Sequence, residues 1–122
     1  MQQPQQQPVE SAVLIRAGQR KRRSIPGTPG IYEELMPAGV RSMAVFSMTL
    51  EPGQSTAGDL RHGGDETFIL LSGNNYQVEI DGKKLTMEAG DSLFIPRGAR
   101  HVATNAGTEI ARAIFVLSPP VY

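Results

Sequence analysis

The chain has 122 residues, 39% of them apolar, and its 12 basic and 12 acidic side chains cancel. That length fits one domain with one buried core, and the zero balance provides no global field to draw nucleic acid or a membrane surface. There is no cysteine, which excludes disulfides and thiolate metal sites, and no apolar run is long enough to cross a bilayer.

Residues 1–10 are rich in Gln and Pro and offer almost no apolar area to bury. They read as a disordered tail ahead of a single domain at 11–122, the alternative being a strand arm laid on a dimer partner. They also lack the apolar heart of a secretion signal, so a cytoplasmic protein is expected. From Ser11 onward, Gly and Pro punctuate the chain at short intervals. The runs between them predict strands at 13–16, 31–36, 43–50, 67–71, 76–80, 84–87, 92–95, 101–104 and 110–117. Asp81-Gly82, set between two alternating runs, predicts a tight hairpin. No long stretch sustains a helical apolar period without a breaker. The expected fold class is therefore all-β, a sandwich or barrel of many short strands. The runs at 67–71 and 110–117 are apolar on both faces. In a small barrel one such face lines the interior and the other needs a second layer or a partner subunit, so a homodimer is expected.

The chain has only two histidines, His62 and His101, and Glu66 stands four residues after the first. Residues two apart on a strand share a face, which groups Glu66 with Phe68 and Leu70, and His101 with Ala103 and Asn105. A carboxylate turned into an apolar interior must be paired, hydrogen-bonded or metal-bound. Two imidazoles and one carboxylate suit Zn, Fe, Mn or Ni. Gly63-Gly64 permits a tight turn that would bring His62 and Glu66 to one point. The plain alternative is two histidines that fall near an acid by chance.

Two stretches carry a resemblance. Gly58 precedes Leu60-Arg61-His62, Glu66 follows after three residues, and Gly73 after six more. Gly90, Pro96, Gly98, His101 and Asn105 are spaced by five, one, two and three residues. These resemble the two motifs of the cupin superfamily, the second at every position. The resemblance implies a double-stranded β-helix, or jelly-roll, barrel. It implies His62, Glu66 and His101 as ligands of a divalent metal. The family's first histidine falls at Leu60, leaving three protein ligands. Such a set either keeps positions open for water, oxygen or substrate, or marks a weakened site whose pocket serves binding alone. For Asn105 and the glycines, structural roles in turns are expected.

Further along the chain, the Arg-Lys-Arg-Arg run at 20–23, the stretch at 31–36, Glu51-Pro52-Gly53 and the Leu-Ser-Pro-Pro at 117–120 resemble the sensor half of bacterial regulators that join a helix-turn-helix to a cupin. This chain has no helix-turn-helix pattern, so it reads as a stand-alone cupin or as one domain of a longer regulator. Arg16 and the run at 20–23 form the one basic cluster. Its alternatives are phosphate contact with nucleic acid and a solvated loop; the local charge and zero net balance favour the loop. No nucleic acid partner is expected for this chain by itself, and no membrane.

Function follows as a small-molecule-binding, metal-containing barrel of sensor type. The alternative is a metal-dependent oxygenase, isomerase or lyase acting on a small polar substrate; a third reading is a partner-binding barrel with an empty interior. With no spare histidine for proton transfer, catalysis stays open. Candidate pocket residues are Leu60, Phe68 and Arg112. The arginine interrupts an apolar strand, so it points either to solvent or inward to a partner such as a ligand carboxylate. Tyr32, Arg41 and Gln77 are the further polar residues to place.

Overall fold

Apolar–polar alternation broken every few residues by Gly, Pro, Asn or Asp builds short strands and little else. The computed structural model describes residues 9, 11–25, 28–56 and 63–119. Nine strands form among them: β1 (Lys21–Arg23), β2 (Ile31–Glu34), β3 (Ala44–Leu50), β4 (Asp65–Ser72), β5 (Tyr76–Ile80), β6 (Lys83–Met87), β7 (Ser92–Ile95), β8 (His101–Asn105) and β9 (Ala111–Ser118). The one helical element among the described residues is a single 3-10 turn, Ala17–Gln19.

The strands pair antiparallel into a six-stranded sheet, β1-β2-β3-β9-β4-β7, and a three-stranded sheet, β6-β5-β8. After β3 the chain crosses from the first sheet to the second. There Gly53 N donates to Asn105 O at 2.8 Å, and Thr56 N donates to Ala103 O at 2.8 Å. The two layers form the jelly-roll barrel that the alternating pattern leads to.

Alternation places the core between the layers. Strand β3 buries Phe46, Met48 and Leu50; β9 buries Ala111, Ala113, Phe115 and Leu117; β5 buries Tyr76 and Val78. Register sets large residues beside small ones, Met48 opposite Ala113 and Leu50 opposite Ala111. Phe46 lies opposite Phe115, stacked at 5.2 Å between ring centroids. Burying each such large side chain stabilises the fold by about 1.5–3 kcal/mol.

Two turns hold the frame in register. Asp81 (φ 48°) and Gly82 (φ 83°) join β5 to β6 with Ile80 opposite Lys83, a hairpin in which both turn residues have positive φ, as the Asp-Gly pair predicts. Gly64, just before β4, is glycine for a different reason: a Cβ there would lie 2.5 Å from the carbonyl oxygen of Pro119. Asn105, fully buried, ties three segments together. Its Nδ2 donates to the carbonyls of Leu50 and Glu109, both at 2.9 Å, and its Oδ1 accepts from Gly107 N at 3.1 Å. That is the structural role expected for it.

Two stretches differ from the sequence expectation. The predicted strand at 13–16 does not form, and Val13 and Leu14 stand exposed, so their β-type side chains have no sheet edge to join. The basic run at 20–23, read as a loop, instead supplies edge strand β1. Its charge is met across the ladder: Lys21 lies opposite Glu34, Arg22 opposite Glu33, and the Arg23 guanidinium pairs with the Glu34 carboxylate. Cross-strand charge complementarity accounts for both the strand and its lack of apolar pattern. Of the expected tail at 1–10, every residue but Val9 lies outside the described residues. Among the described residues, no helix is long and apolar enough to cross a membrane.

Candidate functional site

Strand β4 turns Glu66, Phe68 and Leu70 into the barrel, while Thr67, Ile69 and Leu71 face out. Strand β8 turns His101, Ala103 and Asn105 inward. Because β4 belongs to the six-stranded sheet and β8 to the three-stranded one, Glu66 and His101 meet across the interior. Glu66 Oε1 lies 4.0 Å from His101 Nε2, and each residue is 6% exposed. His101 Nδ1 lies 3.2 Å from the carbonyl oxygen of Ala99. A carbonyl only accepts, so Nδ1 carries the hydrogen, and in the neutral ring Nε2 presents its lone pair towards Glu66.

The pair sits in a cleft of about 50 Å³. One wall is apolar, with Met48, Phe68, Leu93, Ile95 and Phe115; Thr28, Tyr32, Thr56 and Tyr76 bring hydroxyls. Tyr32 is hydrogen-bonded to Thr28, whose Oγ1 donates to Ile25 O at 2.8 Å. Thr56 Oγ1 accepts from Ala103 N at 2.9 Å. The Tyr76 ring stacks on Phe68, with centroids 5.3 Å apart, and its hydroxyl reaches the Met48 sulfur at 3.8 Å. Burial pushes the Tyr76 phenol well above the ordinary tyrosine range, with smaller upward contributions from Tyr32 and the Glu66 charge. Burial also raises Tyr32, offset in part by its bond to Thr28. Both are held in the protonated, donating form.

Of the residues singled out in the sequence, Glu66 and His101 come together and Phe68 lines the cleft beside them. His62 and Leu60 lie outside the described residues. Among the described residues, no group of three His, Cys, Asp or Glu could hold a metal. Arg112 is on the other side of its strand. Alternation buries Ala111 and Ala113 and leaves Arg112 exposed on the outer face, opposite Thr49, so it does not reach the cleft. Gln77 likewise alternates away from its buried neighbours Tyr76 and Val78. Tyr76 went unmarked, although the alternation of 76–80 already placed Tyr76, Val78 and Ile80 on one apolar face.

Comparison with known proteins fits this geometry. The family model "Cupin domain" matches residues 46–117, which spans β3 to β9 and both site strands. The chain is a cupin. This cupin is 31% identical over 87 residues to the tetracenomycin polyketide synthase protein TcmJ of Streptomyces glaucescens, covering 70% of this chain and 58% of that one. It is 29% identical over 98 residues to the HTH-type transcriptional regulator PuuR of Escherichia coli, covering 79% of this chain and 52% of the regulator. Among solved structures, it superposes with a TM-score of 0.72 and 25% identity on a predicted oxalate decarboxylase from Thermotoga maritima, covering 88% of this cupin and 99% of that chain. The cupin thus spans little more than half the length of these curated relatives.

Proposed function

We propose that this cupin binds a small molecule in its barrel at a divalent metal held by Glu66, His101 and His62, as a sensor or carrier domain. The observation that carries the reading is the Glu66–His101 pair: a carboxylate and an imidazole, both buried, 4.0 Å apart in an otherwise largely apolar cleft. The ring of His101 is oriented by a backbone carbonyl on its far nitrogen, which is how metal-binding histidines are held. A carboxylate oxygen and an imidazole nitrogen 4.0 Å apart are donors of the kind that would hold a divalent ion. When bound, the metal would supply a Lewis-acidic centre for a ligand oxygen.

Binding is favoured over turnover by the rest of the lining. The cleft tyrosines stay protonated through neutral pH, so they donate hydrogen bonds and do not serve as bases. The match to part of a transcriptional regulator supports the sensor reading. A homodimer is part of the proposal, supported by Ile69, Leu71 and Phe94, which stand exposed on the outer face of β4 and β7.

Metal analysis of the purified protein tests the site. About one divalent metal per chain is expected, lost in Glu66→Ala and in His101→Ala. A wild-type protein that stays metal-free in excess zinc, iron or manganese would sink the assignment.

A further inference from the structure

Strands β3, β9, β4 and β7 lie side by side in the larger sheet, and alternation gives them a second face, turned away from the core. Register arranges that outer face in rows across the strands. In one row Ile114 lies opposite Ile69; in the next, Val45, Val116, Thr67 and Phe94 stand side by side. Ile69 and Phe94 are exposed, and Ile114, Val116 and Val45 are half-buried. On these four strands the two rows are completed by Ser47 and Ser92 and carry no charge.

The charges come one row further out, at opposite ends. Arg112 stands two residues before Ile114 on β9, and Asp65 two residues before Thr67 on β4, which runs the other way. Parity turns both to the same outer face as the apolar rows between them. Both are exposed, and among the described residues neither has an ion-pair partner. Asp65 Oδ1 accepts from Arg97 N at 2.9 Å. Arg112 is the charge that interrupts the apolar run at 110–117, and the interior site leaves it unused.

An apolar middle with a cation at one end and an anion at the other complements itself when turned end over end. Isologous contacts between copies of one chain need this property, and a partner of any other kind gives no reason for it. We propose that two copies of this cupin pack face to face through the outer side of the larger sheet, about a twofold axis running across the strands, with Arg112 of each copy against Asp65 of the other. This rests on the homodimer reading above and adds its geometry. Sheets stack in this way about 10 Å apart, with side chains of the two faces interdigitating. An axis along the strands would instead bring equal rows together and set Arg112 against its own copy. The charges therefore select one orientation, while the apolar rows supply the area.

The test measures dimer dissociation of the full chain by sedimentation across a dilution series, with circular dichroism confirming the fold of each variant. Arg112→Glu should weaken the dimer about tenfold or more, because it sets like charges together at two symmetric places. Asp65→Lys should weaken it likewise, and the double variant should return to within about threefold of wild type. Mixing the two single variants should give a heterodimer. High salt should narrow the gap between Arg112→Glu and wild type. Asp65→Asn keeps an acceptor for Arg97 N and loses the charge, so adding it to Arg112→Glu should recover part of the loss even if the lysine variant misfolds. A monomeric wild type at high concentration ends the dimer reading, and this geometry with it. A dimeric wild type that Arg112→Glu leaves equally tight, or an Arg112→Glu loss that neither change at Asp65 relieves, overturns the geometry and leaves the dimer standing.

Discussion

Glu66 and His101 lie 35 positions apart in the chain and on different sheets, yet their Oε1 and Nε2 atoms come within 4.0 Å of each other. Whatever bridges them ties the two layers of the barrel together. A metal at 100 times its dissociation constant should therefore raise stability by about 2.7 kcal/mol. Thermal melts with and without added zinc check this. The increment should vanish in Glu66→Ala and His101→Ala, and an unchanged increment in both would remove these residues from the site.

The buried phenols set the alkaline limit of the fold. Tyr32 and Tyr76 are raised above 10.0 in the native barrel, so their contribution is complete below that pH and is lost as pH rises above it. Stability should stay level from neutral pH to about 10 and fall beyond it. Tyrosinate absorbance should show two of the three tyrosines ionising only as the chain unfolds. Tyr76→Phe should flatten part of the alkaline loss.

Asn105→Ala should cost about 2–4 kcal/mol in urea unfolding. The change removes three hydrogen bonds and leaves the carbonyls of Leu50 and Glu109 without their amide donor at a fully buried position. Asn105→Asp should be little better, because a carboxylate cannot donate to either carbonyl.

Much of the fold was legible because alternation and turn chemistry are local. The strands at 76–80 and 92–95 have the bounds their pattern predicts, and Asp81-Gly82 makes the expected hairpin. The miss at Lys21–Arg23 has a physical cause. An edge strand of charged residues, laid opposite Glu33 and Glu34 and tied by the Arg23–Glu34 ion pair, has no apolar rhythm, and its partner strand comes ten residues later. At the site, parity on β4 and β8 was enough to turn Glu66 and His101 inward. It failed for Arg112, since the run at 110–117 is apolar on both faces and hides which one is buried. Tyr76 was invisible as a cleft residue because its neighbours Met48 and Phe68 come from other strands.

The outer surface offers a separate test. Phe94 is 60% exposed and Leu71 54%, on the two strands at the β7 edge of the larger sheet. Phe94→Glu should shift the proposed dimer to monomer in light scattering while leaving metal content unchanged. A wild-type chain that is monomeric at high concentration would end the dimer proposal.

Strand β4 carries the buried Glu66 on one side and the exposed Ile69 and Leu71 on the other. It is a party wall between the interior and the outer apolar surface. The interior pair and the outer apolar surface are separated by the thickness of this one strand, with no further layer of side chains in between.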